Sequence, residues 1–262
     1  MEKEIRAQLN QLEADHDIRI LFACESGSRA WGFASPDSDY DVRFVYVHRP
    51  EWYLGIDRGK DFIAGPQDMV LDITGFELRK LLQLFRASNA TVYEWLQSPV
   101  WYRKEEAFVE HLWALAGTYF SAMTALHHYL GLARNTMENF LTAEQVKLKK
   151  YFYALRPVLA AAWIAEYGNC PPMEFGQLRP MIRVASVLDK VDALLAKKAG
   201  VNESCLVAPD PVVHSFIQEH LARCTEYAKT LEKKEADAAA LNELFRKIIN
   251  KPWTYKACVT GD

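Results

Sequence analysis

Apolar residues recur over the first fifteen positions at Ile5, Leu9 and Leu12, spacings of four and three that predict a short amphipathic helix. A β-prone apolar run, Ile18–Ala23, then predicts a strand that stops at the turn-forming Glu25-Ser26-Gly27-Ser28. Past a loop marked by Ser35-Pro36-Asp37-Ser38, the segment Tyr40–Val47 reads as a second strand. A further candidate lies around Asp61–Ala64, and Met69–Thr74 reads as a third strand. From Phe76 the texture changes. Leu78, Leu81, Leu82 and Phe85 fall at helical spacing, and long helical patterns continue to Asn250. The expectation is an N-terminal part of mixed strands and helices over residues 1–98 and a helical part over 99–262. Ser98-Pro99 is the expected joint, because a proline biases the residue before it away from helix.

Composition adds limits to this picture. Half of the 262 residues are hydrophobic and 25% are charged, enough apolar side chain for a sizeable core. The net charge of −3 carries no basic field of the kind that marks a nucleic-acid coat or a membrane-surface protein. The five cysteines, Cys24, Cys170, Cys205, Cys224 and Cys258, are scattered and never form a CxxC pair, which argues against a disulfide framework and a zinc ribbon. The N-terminus is charged, without the apolar stretch of a secretory signal, and no uncharged apolar run is long enough to span a membrane. A soluble cytoplasmic protein is expected.

The candidate chemistry is concentrated in Gly27–Val42. A glycine at the end of a strand lets the backbone approach a ligand closely, and the serine and amides of the turn after it can face phosphate oxygens. Asp39 and Asp41 stand at the mouth of the next strand, where alternation sends both carboxylates to one face. Like charges held so close call for a cation, and hard oxygen donors suit Mg²⁺ or Mn²⁺. Asp72 interrupts the apolar run of the third strand; if that strand lies beside Tyr40–Val47, it becomes a third carboxylate. Three carboxylates around two metal ions serve phosphoryl or nucleotidyl transfer.

Gly27-Ser28, ten intervening residues, Asp39-x-Asp41 and the later Asp72 resemble the motif of the DNA polymerase beta-type nucleotidyltransferase superfamily. The wording GSRAWGFASPDSDYDVRFVYV, followed by YFYALRPVLAAAWI and PPMEF, is similar over roughly residues 15–250 to bacterial predicted nucleotidyltransferases called RNA-ligase-associated. The resemblance implies an α+β fold: a nucleotidyltransferase-type mixed sheet with flanking helices, then an all-helical C-terminal domain. It implies transfer of a nucleoside monophosphate, AMP from ATP being favoured, to a hydroxyl acceptor with release of pyrophosphate. Gly27 and Ser28 would hold the triphosphate, Asp39 and Asp41 the metals, and Asp72 would act on the acceptor hydroxyl or on its metal. An RNA end, a protein and a small molecule all stay open as acceptor. The rival reading is a non-catalytic module on the same fold that binds a nucleotide or neutralises a partner.

Other residues have functional and structural readings side by side. Arg29 can reach a phosphate or sit at the surface; Lys147, Lys150 and Tyr151, on one predicted helix, can grip phosphates or form a solvated face. Arg156, next to Pro157, suits a buried structural role, and the proline is expected to kink or restart the helix. Trp31 and Phe33 are expected to pack under the turn, and Tyr153, Trp163 and Tyr167 in the core. His127-His128 has no metal partner pattern, and the one spacing resembling a ribonuclease signature, Arg43 to His48, falls on a strand.

Overall fold

The computed structural model describes residues 1–57, 59–67, 70–232 and 234–252. Met69, where the third expected strand begins, and Cys258 lie outside them. The first part of the chain runs α1 (Glu2–His16), β1 (Arg19–Ser26), α2 (Gly27–Trp31), β2 (Tyr40–Val47), α3 (Pro50–Tyr53), β3 (Phe62–Gln67), β4 (Leu71–Glu77), α4 (Leu78–Arg86), α5 (Ala90–Trp95) and β5 (Trp101–Lys104). There follow α6 (Glu106–Ala114), α7 (Ala116–Tyr119), α8 (Ala122–Phe140), β6 (Val146–Lys147), α9 (Leu148–Tyr167) and α10 (Phe175–Leu178). The chain ends in α11 (Ala185–Ala199), β7 (Leu206–Val207), α12 (Pro211–Ala228) and α13 (Ala239–Ile249).

This is a mixed α+β fold built on a five-stranded sheet of order β3-β4-β2-β1-β5. β1 lies antiparallel to β2 and β5, β3 lies antiparallel to β4, and β2 and β4 run parallel. Side chains alternate between the two faces of a strand. Val42, Phe44 and Tyr46 of β2 and Leu71 and Ile73 of β4 therefore meet Ile5, Leu9 and Leu12 of α1 on one face. Val45 and Val47 face the other way, into a core shared with α4, α5, α8, α9 and α12. By the same alternation Asp41 and Arg43 of β2, with Asp72 and Thr74 of β4, belong to this second face, at its open end.

The sheet continues past the expected joint at Ser98-Pro99, because β5 pairs with β1, and the larger core runs without a break from Leu21 and Phe22 into Tyr151, Phe152 and Val213. One buried ion pair lies within that core: Arg156 on α9 meets Glu94 on α5 at 2.8 Å. Tyr129 Oη donates to the same carboxylate at 2.8 Å, and Arg156 Nε donates to the Met173 carbonyl at 2.9 Å. A charge so buried is tolerable only when paired in this way.

α9 passes through Pro157 as one continuous helix and does not restart there. Proline has no N–H to give the carbonyl four residues back, that of Tyr153. Thr136 Oγ1 on α8 donates to the Leu132 carbonyl of its own helix at 2.9 Å and lies 3.5 Å from the Tyr153 carbonyl. Among the described residues no helix is long and apolar enough to cross a membrane, and Cys24, Cys170, Cys205 and Cys224 are free thiols.

The parallel β2–β4 pairing depends on close approach at Gly75, where an added Cβ would come within 2.3 Å of the Phe44 ring. Phe44 is fully buried and has no room to yield. Gly75→Ala is expected to destabilise the fold by about 1–3 kcal/mol, the usual range for overpacking a filled core. Urea unfolding measures this, and an unchanged midpoint would contradict the packing described.

Candidate active site

β2 and β4 pair in parallel with Asp41 directly opposite Asp72. The two carboxylates are thus lateral neighbours on the second face of the sheet. Asp39 stands one residue before β2, exposed, at the end of the loop from α2. Behind Asp41 lies Gly27, at φ +67°, where a Cβ would come within 2.1 Å of Asp41 Oδ2. Glycine is needed there on both counts, since an L side chain strains at that φ and would displace the carboxylate. Ser28 follows in the first turn of α2 and is buried. The sequence Gly27-Ser28 thus stands next to Asp41 because β1 and β2 are antiparallel, with Ser26 opposite Asp41.

Arg43, two residues after Asp41 on the same face, bridges the carboxylates. Its guanidinium lies 2.8 Å from Asp72 Oδ2 and 3.3 Å from Asp41 Oδ1, and donates to the carbonyls of Val42 at 3.0 Å and Asp72 at 3.1 Å. Thr74 Oγ1 donates to Asp72 Oδ1 at 3.2 Å. Burial pushes the Asp41 carboxyl above its ordinary pKa; Arg43 opposes this, and the charges of Asp72 and Asp39 reinforce it. Beneath Asp41 sits Glu25, almost fully buried, whose Oε1 accepts the Asp41 amide N–H at 2.7 Å and whose Oε2 accepts a hydrogen bond from Tyr102 Oη. Burial raises the Glu25 pKa as well, against those two hydrogen bonds. From the helical part, Tyr153 on α9 faces the same space. Its hydroxyl is pushed up to about 12 by burial and by the charges of Glu203, Asp41 and Asp39.

The donor set suits a hard divalent cation: adjacent carboxylates whose mutual repulsion already disfavours ionisation of one of them. Among the described residues no three ligating side chains are gathered around one point, and the Arg43 guanidinium lies against both Asp41 and Asp72. Arg43 supplies positive charge to the Asp41–Asp72 pair.

The family model for the RNA repair pathway DNA polymerase beta family, RlaP, matches residues 1–247. The chain belongs to this family. It is also 39% identical over 255 residues to the uncharacterized protein YcgL of Bacillus subtilis (strain 168), covering 97% of this chain and 98% of that protein. A solved nucleotidyltransferase-like protein from Exiguobacterium sibiricum 255-15 aligns with 95% of this chain and 82% of its own, at 11% identity and a TM-score of 0.31.

In this member of the RlaP family the remaining expected site residues diverge. Arg29 turns back on its own loop: its guanidinium donates to the carbonyl of Ser38 at 2.6 Å and of Asp39 at 3.0 Å and stacks on Tyr40. It therefore shapes the Asp39 turn. Tyr151 is fully buried and its Oη accepts the Asp210 N–H at 2.7 Å. The reason is visible in the helical stripe Leu148, Tyr151, Phe152, Leu155, which faces the core. Lys147 is exposed in β6, one residue before the helix, and Lys150 Nζ lies over the Phe140 ring at 3.6 Å. Burial, and after it the charges of Lys149 and Lys147, lower the Lys150 pKa. Trp31 and Phe33 pack as expected, against Tyr153 and Phe152.

The sequence gives no signal for the place of Glu25 under Asp41, and it points Tyr153 to the core, where burial is joined by the nearby charges of Asp39 and Asp41. For Arg43 the signal was present, since its two-residue spacing from Asp41 puts it on the carboxylate face.

Two variants probe this arrangement. Gly27→Ala is expected to lower stability by about 1–2 kcal/mol from backbone strain alone, read by thermal unfolding. Arg43→Met removes the guanidinium that meets both Asp41 and Asp72, so the variant is expected to melt earlier and to recover more stability from added Mg²⁺ than the unaltered protein does. Equal responses to Mg²⁺ would show that the carboxylates do not share a cation.

Proposed function

We propose that the protein is a metal-dependent nucleotidyltransferase that moves a nucleoside monophosphate, AMP being favoured, from a nucleoside triphosphate to the terminal hydroxyl of an RNA. The observation that carries this reading is the register of β2 on β4, with Asp41 beside Asp72 and Gly27 behind them. Membership of a family described by RNA repair supports an RNA end over a protein or small molecule as acceptor.

In this reading Gly27 and Ser28, at the start of α2, receive the triphosphate on backbone amides that a first helical turn leaves unpaired. Asp39, Asp41 and Asp72 would hold Mg²⁺ or Mn²⁺. Such ions, when bound, would neutralise charge on the phosphate under attack and lower the proton affinity of the acceptor hydroxyl. Asp72 acts on the acceptor hydroxyl, as general base or through the ion it would hold, and Arg43 and Thr74 fix the orientation of its carboxylate. Lys147 and Lys150 flank the phosphates from the helical side. The acceptor oxygen bonds to the α-phosphorus, the bond to the β-phosphate oxygen breaks, and pyrophosphate leaves.

One observation favours the rival reading of a non-catalytic nucleotide-binding or partner-neutralising module: the Arg43 guanidinium already compensates Asp41 and Asp72. Incubation with α-labelled nucleoside triphosphates, Mg²⁺ or Mn²⁺ and RNA oligonucleotides separates the two. Label is expected on RNA carrying a free terminal hydroxyl, most strongly from ATP. Asp72→Asn is expected to slow transfer about 10²–10⁴-fold, the range for loss of a general base, and Asp41→Asn to abolish metal-dependent nucleotide binding. Nucleotide binding without transfer to any RNA or release of pyrophosphate would favour the module.

A further inference from the structure

The loop that presents Asp39 is held mainly by residues far away in the chain. Ser35 and Ser38 are buried in it, and the Ser35 amide N–H donates to Ser38 Oγ at 2.9 Å, closing the loop on itself. Lys198, in the last turn of α11, is only 1% exposed. Its Nζ donates to Ser35 Oγ at 2.8 Å and to Glu203 Oε1 at 3.0 Å. Glu203 Oε1 also accepts from Ser38 Oγ, and the Glu203 amide donates to Asp37 Oδ1 at 2.9 Å. The other carboxylate oxygen, Oε2, takes Lys149 Nζ of α9 at 3.1 Å. The β6–β7 pairing and the hydrogen bond from the Leu148 N–H to the Cys205 carbonyl at 2.9 Å keep residue 203 beside this end of α9.

A buried ion pair is a poor source of net stability, because desolvation offsets most of its attraction. What it supplies is geometry. Lys198 stands on the apolar stripe of α11, seven residues after Val191, so the helix packs its ammonium inward at a fixed place. Against burial, the hydrogen bonds from Ser38, Lys198 and Lys149 hold the Glu203 carboxyl at about 2, so it is ionised throughout the neutral range. Arg29 grips the carbonyls of Ser38 and Asp39 from the other side. The loop ends at Asp39 with contacts on both flanks.

We propose that Lys198 and Glu203 are positioning residues that set Asp39 beside Asp41 and, through Lys149, couple that placement to the basic edge of α9 that meets a triphosphate. This rests on the reading of Asp39 and Asp41 as cation ligands, and the pair touches neither metal nor nucleotide itself.

Mn²⁺ titration followed by electron paramagnetic resonance, on the full chain, tests it without relying on turnover. Lys198→Met/Glu203→Gln removes both charges together and leaves no lone buried ion, so the fold is expected to survive, as thermal unfolding checks. Its Mn²⁺ affinity is expected to fall about 10–100-fold, the range for residues that orient metal ligands. Ser38→Ala, which leaves the ion pair intact, is expected to weaken binding in the same direction and serves if the double variant does not fold. Folded variants that bind Mn²⁺ as the unaltered protein does would overturn the proposal. Asp41→Asn in the same series isolates the underlying reading: if the unaltered protein binds no Mn²⁺, or Asp41→Asn binds it equally well, the cation site itself fails and this inference with it.

Discussion

The parallel register of β2 on β4 is the constraint from which the rest of the candidate site follows. It sets Asp41 and Asp72 side by side on a half-buried sheet face, where two negative charges are costly unless something positive lies with them. Arg43 answers part of that demand from the same strand. Glu25 holds the Asp41 backbone from below, and the glycine at 27 leaves the carboxylate room to sit against the end of β1. None of these features makes sense alone. Glycine at φ +67° and a buried glutamate under a strand amide are local costs, and each is intelligible because it fixes one atom of the acidic pair.

Much of this arrangement was legible in the sequence because it is local. Tyr40–Val47 is a β-prone run whose bounds match β2, and Ile5, Leu9 and Leu12 are the buried face of α1. An aspartate inside an apolar strand signals a special environment, and the structure puts Asp72 opposite Asp41. The strand at Trp101–Lys104 was not legible: four residues behind a proline carry too little pattern, and its partner β1 lies some eighty positions upstream. On α9 the basic and aromatic residues were grouped by spacing, yet 100° per residue turns Tyr151 into the core while Tyr153 faces the acidic residues. Lys198 and Glu203 meet Ser35 and Ser38 across more than 160 positions, and no local rule reports such a contact.

The helical half is therefore more than a cover. It shares its apolar core with the sheet, pairs Arg156 with Glu94 of α5, and reaches the acidic face through Tyr153 and the Lys198–Glu203 pair. The motif residues and the groups that support them come from opposite ends of the chain, and the family model spans both.

The continuity of that core bears on the order in which the molecule is made. A chain emerging N-terminus first presents β1, β2 and β4 while α8 and α9, which cover their second face, are still unsynthesised. The nascent sheet carries an uncovered apolar surface until α9 has left the ribosome, and the Asp39 loop gains its distant anchors later still, once Glu203 has emerged. A translation product halted before that residue would display the complete acidic motif while lacking the contacts that hold its loop, and its open sheet would be a target for chaperones or proteases.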